Sequence, residues 1–470
     1  MKTLTINPRD NVAVVLEGEL AGHKIALCDI HDGEDIIKYG YSIGRAVGEI
    51  KKGEHVHVHN VKTNLSGAMS YTYKPVHYKL PETSGRSFYG YVREDGSVGI
   101  RNEIWIVNTV GCVNKTSELL AREAMRLYGA ECGGVYNFVH PFGCSQLGDD
   151  QRTTQAVLKG LVNNPNASGV LVLGLGCENN NIPVFREVLG DVNTDRVKFI
   201  STQEHDDEIA AGLEAIGELV KYSKRFERKE RPVSDLTVGL KCGGSDGFSG
   251  LTANPLIGKV SDRLIADGAS TILTEVPEMF GAETILMDRA VNEKVFNKTV
   301  RLINDFKEYF ERHGQTVYEN PSPGNKKGGI TTLEDKSLGC VQKAGSADVA
   351  DVIEIGEHVK NRGLNLLTGP GNDIVAVTNL TASGANMILF STGRGTPVGA
   401  PVPTVKISTN TGLYNRKPHW IDFNAGPAID GEDLTDSLYD YIISVANGEM
   451  TNNERHGYRE ISIFKDGVVL

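Results

Sequence analysis

The chain has 470 residues, 40% hydrophobic and 23% charged, so it can bury a large core and form roughly two to four domains. Its formal net charge of −11 argues against a nucleic-acid partner, although a local cluster of cations can still bind a small anion. No apolar run has the length of a signal peptide or a membrane span, so we expect no membrane partner. Seven cysteines without a C-x-x-C pair predict reduced thiols and a cytoplasmic location.

Residues 1–75 are predicted to form a small β domain, because short apolar or β-branched runs alternate with turn residues. Within it, His55, His57 and His59 alternate with valines. In a strand these imidazoles would share one face, where they could bind a divalent transition metal. The alternative is a solvated polar face opposite the valines. Further candidate ligands in this domain are His23 and His31.

A linker over residues 76–89 is predicted to lead to an α/β domain at 90–232. Apolar strands there alternate with segments of helical periodicity, which indicates βαβ units and a parallel sheet. We expect Asn114 to cap the first helix, and the charge-rich residues 225–231 to be a solvated helix end and linker. The predicted strands are Glu103–Val110, Gly134–Val139, Gly169–Leu175 and Val197–Ser201. The segments after the first three strands contain Cys112, Cys144 and Cys177.

A second α/β domain, the catalytic one, is predicted over residues 233–470. Its predicted strands are Leu236–Leu240, Thr271–Val276, Gly363–Leu367, Met387–Phe390 and Val405–Ser408. After the first strand, glycines separate Cys242, Ser245 and Asp246. Ligands of α/β sheets bind at the carboxyl ends of strands, so these residues form a candidate site. The alternative is a tight turn with an inert buried cysteine.

Two long stretches, 320–345 and 391–403, show no clear periodicity. Loops of this length are usually either functional or disordered. The second holds Arg394 between glycines, where its guanidinium could clamp a carboxylate; an exposed loop charge is the alternative. Neither stretch contains GxxxxGK[ST], and Gly393-Arg394-Gly395 leads into prolines, so both nucleotide motifs are excluded.

Several long strings of the sequence are specific enough to be compared with a known family. They are GHKIAL (22–27), KYGYSIGRA (38–46), GEHVHVHN (53–60), GSVGIRNEIWIVNTVGCVN (96–114), GCSQLGDD (143–150), VLGLGCENN (172–180), KCGGSDGFSGLTANP (241–255), TEVPEMFGAE (274–283), ENPSPGNKKGGITTLEDKSLGCVQKAG (319–345), LTGPGND (367–373) and STGRGTP (391–397). Together they resemble the altronate/galactarate dehydratase family, which also includes a sulfolactate-cleaving lyase. The resemblance implies a β-clip module of the SAF type followed by two Rossmann-like α/β domains with parallel sheets.

The resemblance also implies an iron(II)-dependent hydro-lyase that converts D-altronate to 2-keto-3-deoxy-D-gluconate and water in hexuronate catabolism. The proton next to an ionised carboxylate is only weakly acidic. We therefore expect a divalent cation, Fe²⁺ with Mn²⁺ as the alternative ion, to neutralise the developing negative charge. A base near the α-carbon and an acid near the departing hydroxyl are also needed, and the sequence leaves open which residue serves as which.

Candidate residues for these roles follow from the matching strings. The candidate metal ligands are His23, His57 and His59, with the strand-end cysteines as further candidates. The candidate catalytic residues are Cys242, Ser245, Asp246, Glu275, Glu334 and Lys343, with Glu278 and Lys336 as additional acid/base groups. The candidate substrate-binding residues are Asn254, Lys326, Asn372 and Arg394. For Glu275, capping of the turn after its strand is the alternative role.

Other functions remain open. In the same class are a dehydratase of galactarate or another sugar acid, and a sulfolactate lyase. A non-enzyme that binds a sugar acid or a metal is the third alternative, but it would not need reactive cysteine and lysine residues at 319–345. Separated cysteines could also hold an iron–sulfur centre. The expected partners are a small anionic sugar acid and a second copy of the chain in a homodimer.

Overall fold

The computed structural model describes residues 2–470 and shows an α/β protein with a strand-rich N-terminal region and two parallel sheets, as predicted. Within these residues, no helix combines the length and the apolarity needed to cross a bilayer. The inner strands of the two parallel sheets are fully buried, which agrees with their apolar sequences because helices cover both faces of such sheets.

Residues 3–62 form two small antiparallel sheets. Their strands are β1 (Thr3–Leu4), β2 (Val12–Val15), β3 (Lys24–Ala26), β4 (Asp35–Lys38), β5 (Tyr41–Ala46), β6 (His55–Val56) and β7 (Val61–Lys62). One sheet has the order β1-β2-β3-β6 and the other β4-β5-β7. Buried Val12, Ile36, Ile43 and Ile50 belong to one continuous hydrophobic core with residues from the range 233–446, so these sheets are packed onto the rest of the protein.

The prediction that His55, His57 and His59 share the face of one strand is wrong. Strand β6 ends at Val56, and residues 57–60 form a turn. The Asn60 side chain stabilises this turn, since its Oδ1 accepts from the His57 N–H at 2.9 Å and its Nδ2 donates to the His55 carbonyl at 3.0 Å. Asparagine side chains commonly form hydrogen bonds with nearby backbone groups in turns, and here these bonds replace those that a partner strand would supply.

Residues 63–86 contain neither helix nor strand and run along residues 283–290. The Tyr71 hydroxyl donates to Glu283 Oε1 and the Tyr73 hydroxyl to the Ala290 carbonyl, each at 2.6 Å. The chain then enters β8 (Ser87–Val92) and β9 (Val98–Gly99), which pair antiparallel.

The first parallel sheet has the strand order β11-β10-β12-β13. Its strands are β10 (Glu103–Asn108), β11 (Val135–Phe138), β12 (Ala167–Gly174) and β13 (Val197–Ser201). The helices between and after them are α1 (Asn114–Tyr128), α2 (Gly148–Val162), α3 (Ile182–Leu189) and α4 (Glu208–Ser223). Alternation of apolar strands and amphipathic helices therefore predicted this sheet correctly.

Two details of this region differ from the prediction. Asn114 is not a cap but the first residue of α1, and Val113 occupies the cap position without a side-chain bond. Residues 225–231 are largely exposed, as predicted, but they are not a helix end and linker, because α4 ends at Ser223 and β14 (Arg228–Pro232) pairs antiparallel with β8. This pairing joins segments that are far apart in the sequence, so the local charge pattern could not predict it.

The second parallel sheet has the order β17-β18-β16-β15-β19-β20-β21. Its strands are β15 (Thr237–Cys242), β16 (Ser270–Leu273), β17 (Val349–Ile353), β18 (Gly363–Leu367), β19 (Met387–Thr392), β20 (Thr404–Ser408) and β21 (Phe423–Asn424). The associated helices are α5 (Ala253–Ala266), α6 (Glu283–Met287), α7 (Glu293–Arg312), α8 (Pro323–Lys327), α9 (Leu333–Cys340), α10 (Asp373–Ala382), α11 (Thr411–Arg416), α12 (Thr435–Ala446) and α13 (Asn452–Arg455).

The stretch 320–345 is not the irregular loop that was expected. It contains α8, α9 and a 3₁₀ turn over Val341–Ala344, and every residue of α9 is buried. Helix α9 has little amphipathic periodicity because it has protein on all sides, so the sequence lacked the usual helical signal. In contrast, residues 393–403 form the predicted loop.

Candidate active site

The carboxyl end of β15 is the point where the strand order of the large sheet reverses. Strand β15 pairs with β16 on one side and with β19 on the other, and a crevice for ligands opens at such a point. Gly243 and Gly244 follow the strand. A Cβ on Gly243 would stand 2.5 Å from the Asp373 carboxylate, and Gly244 has a φ of +61°. Glycine therefore allows the chain to turn toward Ser245 and Asp246.

Lysines, carboxylates and thiols form a buried group at this edge, which we call the lysine–carboxylate cluster. Its members are Lys241, Cys242, Glu275, Glu278, Lys336, Cys340 and Lys343. None is more than 7% exposed. Because a buried charge is costly unless it is paired, so dense a group of charges indicates a functional site more than a stabilising one.

Each lysine of the cluster has an anionic or thiol partner. Lys241 pairs with Glu275 and lies 2.9 Å from Asp373 Oδ1, Lys336 Nζ lies 2.8 Å from Glu278 Oε1, and Lys343 Nζ lies 2.9 Å from Cys242 Sγ and 3.3 Å from Glu275 Oε2. The Asp373 side chain is 31% exposed, so the cluster reaches solvent on that side. The sequence reasoning missed Lys241 and Asp373, although a lysine inside an otherwise apolar strand is a usable signal.

The pKa values of the two glutamates of the cluster are shifted in opposite directions. Burial raises the pKa of Glu275 despite the neighbouring Lys241 and Lys343. Burial acts on Glu278 in the same direction, but the ammonium groups of Lys336, Lys241 and Lys343 outweigh it and hold its pKa well below the usual range. Two carboxyl groups with separated pKa values are suited to different roles in proton transfer.

Glu275 also has a strained backbone. Its φ of 71° and ψ of 53° lie in the left-handed region, which costs a non-glycine residue about 1–3 kcal/mol. Its side chain makes no capping bond to the following 3₁₀ turn, so the alternative role as a turn cap is wrong. Instead the carboxylate turns back toward Lys241 and accepts from the Cys242 N–H at 3.2 Å.

The two thiols of the cluster are in contact. Cys242 Sγ and Cys340 Sγ are 3.4 Å apart, and the Cys340 thiol donates to Glu278 Oε2 at 3.1 Å. The hydrogen bond to Cys242 and burial raise the pKa of Cys340 well above its usual value. Cys242, Glu278 and Cys340 together place ligand atoms within 4.8 Å of one another, so they could hold a soft metal ion. Cys340 is a third residue that the sequence reasoning missed.

A polar cavity of about 400 Å³, here called the Arg394 cavity, lies against Asp246. Its lining includes Ala21, Asp246, Gly393, Arg394, Asn410 and Arg416. Within residues 2–470, neither guanidinium forms a salt bridge. Two unpaired guanidinium groups in a cavity of ligand size are suited to binding an anion.

The Asp246 side chain fixes one wall of the Arg394 cavity through hydrogen bonds. Its buried carboxylate accepts from the Thr409 hydroxyl at 3.0 Å, the Ser249 hydroxyl at 3.1 Å and the Asn410 amide at 3.2 Å. Burial raises its pKa despite these bonds. Asp246 also lines a cavity of about 10 Å³ with Cys340, roughly the room of one water, so it lies between the Arg394 cavity and the cluster.

Three imidazoles of the N-terminal region converge next to this part of the protein. Nitrogen atoms of His23, His55 and His57 lie within 4.8 Å of one another, and His23 Nε2 is 3.3 Å from the Lys327 carbonyl. The predicted ligand His59 is outside this group, and His55 is inside it. His31 lies apart from the group and pairs with Glu49 at 3.0 Å. The turn after β6, rather than a shared strand face, determines which imidazoles meet.

A buried ion triad joins the N-terminal region to α9. Asp335 lies 2.8 Å from Lys24 Nζ and 2.9 Å from Lys38 Nζ, and all three side chains are at most 3% exposed. Burial acts to raise the pKa of Asp335, but the two ammonium groups outweigh it and hold the pKa far below its usual range. Lys336 and Cys340, on the same helix, belong to the cluster. Helix α9 therefore couples the two regions.

The remaining predicted residues lie elsewhere. Glu334 is on α9 but contacts the N-terminal region, where it accepts from Thr63 Oγ1 and the Asn64 N–H. Asn254 donates to the Gly339 carbonyl at 2.9 Å, and Asn372 caps α10. Lys326 is a half-buried residue of α8, and the Ser245 carbonyl accepts from Asn325 at 2.8 Å. The structure therefore does not bring these five into direct contact with the cluster pairs described above.

Three family models match the chain. Residues 233–469 match the model described as D-galactarate/altronate dehydratase, C-terminal. Residues 90–224 match D-galactarate dehydratase/altronate hydrolase, second domain, and residues 19–64 match the altronate/galactarate dehydratase SAF domain. The resemblance predicted from the sequence strings is thereby confirmed.

Curated relatives of similar length were also found. An altronate dehydratase of Bacillus subtilis (strain 168) is 54% identical over 96% of this chain and 92% of the relative. An altronate dehydratase of Escherichia coli (strain K12) is 52% identical over 98% and 94%. A galactarate dehydratase (L-threo-forming) of the same strain is 34% identical over 95% and 90%.

The ion triad yields a prediction for stability against pH. Asp335→Asn leaves Lys24 and Lys38 buried without their anion, which we expect to destabilise the fold by about 3–5 kcal/mol at pH 7. Because the folded-state pKa of Asp335 is depressed, its contribution is present above the unfolded pKa of about 4 and is lost as the pH falls further. The difference in urea midpoint from the unsubstituted protein should therefore shrink below about pH 4.

Asp430→Asn is the matched control, because its ion pair with Lys2 is exposed to solvent and should contribute little to stability. Equal midpoints for Asp335→Asn and the unsubstituted protein at pH 7 would contradict the structural role of the triad.

Proposed function

This chain belongs to the D-galactarate/altronate dehydratase family and is a hydro-lyase that acts on a sugar acid, and we propose that its substrate is D-altronate. One observation carries the choice of substrate. Two relatives named altronate dehydratase are 54% and 52% identical to the chain over nearly their whole length, whereas the galactarate dehydratase is 34% identical.

The proposed reaction breaks the C–H bond next to the carboxylate and the C–O bond of the neighbouring hydroxyl. A base takes the proton, and the hydroxyl leaves as water after receiving a proton from an acid. The enol that forms tautomerises to 2-keto-3-deoxy-D-gluconate. We place this step in hexuronate catabolism, in a reducing compartment such as the cytoplasm, which suits seven free thiols.

The Arg394 cavity supports binding of the substrate carboxylate. Arg394 follows Gly393, whose Cβ position would lie 2.2 Å from the Asp246 carboxyl group, so the loop is held close to that carboxyl. A guanidinium in a fixed loop can form two parallel bonds with a carboxylate. We assign this role to Arg394, and we assign to Asp246 the role of positioning the loop.

The lysine–carboxylate cluster supports the proton transfers. Glu275 has a raised pKa and a strained backbone, and its Oε2 lies 3.3 Å from Lys343 Nζ. A carboxyl group with a pKa closer to neutrality can both accept and return a proton. We assign proton transfer to Glu275, with Lys343 and Cys242 as its immediate partners, and we assign to Glu278 the role of a permanent anion that holds Lys336.

His23, His55 and His57 fit a divalent transition ion. The buried Nδ1 of His57 has no hydrogen-bond partner within residues 2–470, and burial lowers the pKa of His57 to about 4, so its imidazole is neutral at pH 7. We propose that these residues hold Fe²⁺, with Mn²⁺ as the alternative ion. When bound, the ion supplies Lewis acidity for the negative charge that develops beside the carboxylate.

Galactarate is the second candidate substrate, for a structural reason. The Arg394 cavity contains a second guanidinium, that of Arg416, and a substrate with two carboxylates could use both. D-Altronate has one carboxylate and would leave Arg416 to bind hydroxyl groups.

A direct assay separates the two substrates. Protein incubated anaerobically with Fe²⁺ should release a 2-keto-3-deoxy acid from D-altronate, and the rate should fall when a chelator is added. Galactarate and D-mannonate are assayed in parallel as competitors. Turnover of galactarate at a higher kcat/KM than D-altronate would contradict the proposed substrate, and the absence of turnover with every acid would contradict the proposed function.

Substitution of Arg394 tests the carboxylate site. Arg394→Gln removes a charged hydrogen bond of about 1.5–3 kcal/mol, so kcat/KM should fall about 10- to 100-fold, mainly through KM. Arg394→Lys keeps the positive charge but cannot form two parallel bonds with a carboxylate, so its kcat/KM should lie between those of Arg394→Gln and the unsubstituted protein. Arg152→Gln removes an exposed arginine of α2 and serves as the control. Equal KM values for Arg394→Gln and Arg152→Gln would exclude Arg394 from substrate binding.

Substitution of His57 tests the metal site without an activity assay. His57→Ala should weaken Mn²⁺ binding, followed by electron paramagnetic resonance, by more than about tenfold, because it removes one of three ligands. His31→Ala is the control, since His31 is exposed and outside the group. Unchanged Mn²⁺ affinity in both His57→Ala and His23→Ala would contradict the assignment of the site.

A further inference from the structure

Three cysteines that the proposed reaction does not use lie at one edge of the first parallel sheet. Cys112, Cys144 and Cys177 each follow a glycine, and they come after β10, β11 and β12. These strands are neighbours in the order β11-β10-β12, and parallel strands deliver their carboxyl ends to the same edge. All three cysteines are exposed and free of disulfides.

The loops that carry these cysteines are bonded to one another. The contacts between loops are Gly111 N–H to the Phe142 carbonyl at 2.8 Å, Asn114 Nδ2 to the His140 carbonyl at 2.9 Å, Asn180 N–H to the Gly143 carbonyl at 3.0 Å and Ser145 N–H to Asn179 Oδ1 at 2.9 Å. Strand pairing does not require any of these bonds. They bring the three Gly-Cys segments together as one constellation.

Buried polar side chains form hydrogen bonds within the segments that carry these cysteines. Glu178 accepts from the Thr109 hydroxyl at 2.7 Å and from the Gly176 N–H at 2.6 Å. His140 Nε2 is 2.8 Å from the Asn108 carbonyl, and His140 is 2% exposed. Such buried groups fix the loops in position, as a site with demanding geometry requires.

The loop of Cys144 is also conformationally restricted. Gly143 has a φ of +98°, and a Cβ there would stand 1.9 Å from the Thr109 carbonyl oxygen, so only glycine allows this approach to the end of β10. Ser145 has a φ of 58°, which is unusual for a residue with a side chain. Strain of this kind is concentrated at functional sites.

Hydrogen-bond donors lie near the sulfur atoms. Gln203 Nε2 is 3.7 Å from Cys177 Sγ, and the Ser145 hydroxyl is 3.9 Å from Cys144 Sγ. The buried Nε2 of Gln146 has no partner within residues 2–470. Donors directed at thiolate or sulfide sulfur stabilise iron–sulfur clusters and adjust their potentials.

The spacing of the sulfurs argues against a single metal ion. In residues 2–470, the groups of three ligand atoms within 4.8 Å of one another are the histidines and Cys242-Glu278-Cys340. Cys112, Cys144 and Cys177 are not among these groups, so their sulfur atoms do not all lie within 4.8 Å of one another, whereas two thiolates on one tetrahedral ion stand about 3.8 Å apart. A cluster of several iron atoms is larger and accepts thiolates that stand further apart.

We propose that Cys112, Cys144 and Cys177 bind an iron–sulfur cluster of the [4Fe–4S] class. Three thiolates serve three of its iron atoms, and the fourth iron faces solvent or a small oxygen ligand. The exposed position of the cysteines agrees with this arrangement. The cluster lies on a different sheet from the lysine–carboxylate cluster and from the three histidines, so the inference does not rest on the proposed function.

Analysis of protein expressed in iron-rich medium and purified without oxygen provides the test. The intact chain should contain about four acid-labile sulfide ions, a brown colour with broad visible absorption, and a cluster signal in electron paramagnetic resonance after reduction with dithionite. Sulfide separates this site from the histidine site, because an ion held by imidazoles brings no sulfide.

Variants locate the cluster. Cys112→Ala, Cys144→Ala and Cys177→Ala should each lose most of the sulfide, colour and resonance signal, with folding checked by circular dichroism. Cys132→Ser is the matched control, because Cys132 precedes β11 at the opposite edge of the same sheet. It should retain all three properties, and His57→Ala should retain its sulfide.

Two outcomes would overturn the inference. One is an intact, anaerobically purified chain with no labile sulfide, whether or not it contains iron or zinc. The other is equal sulfide in the three alanine variants and in Cys132→Ser. A sulfide-free chain that still dehydrates a sugar acid would remove the cluster and leave the proposed function in place.

Discussion

The buried contact of Asp335 with Lys24 and Lys38 determines how the two functional regions of this protein meet. One buried carboxylate serves two lysines from different strands of the N-terminal region. A triad of this kind adds little net stability compared with apolar packing, but loss of one partner is costly. Its main effect is positional, because it fixes which face of α9 meets the N-terminal strands.

The same helix also positions two residues of the lysine–carboxylate cluster. Lys336 and Cys340 follow Asp335 on the same buried helix and join Glu278 at the carboxyl edge of the large sheet. Lys24 is also next to His23 in the chain, so the triad places the histidine group as well. The N-terminal region therefore helps to build the site and is not merely an appended module.

The sequence predicted the elements whose environment is local. Strands such as Val197–Ser201 and Gly363–Leu367 were predicted at their observed bounds, because buried parallel strands are apolar along their length. It also pointed to Cys242 and Lys343 through strand ends and specific strings. It did not predict α9 or Cys340, because α9 is buried on all sides and its partners come from remote segments. The turn at Asn60 was missed for a different reason, because the alternation of histidine and valine before it has the periodicity of a strand.

The most direct test of the central claim is to run the dehydration of D-altronate anaerobically in D₂O and to examine the product by NMR. Elimination through an enol predicts about one deuterium atom per product molecule, at the carbon that carried the departing hydroxyl. A 2-keto-3-deoxy acid without deuterium at that carbon would contradict elimination through an enol. A product that retains all its hydroxyl groups would contradict dehydration itself.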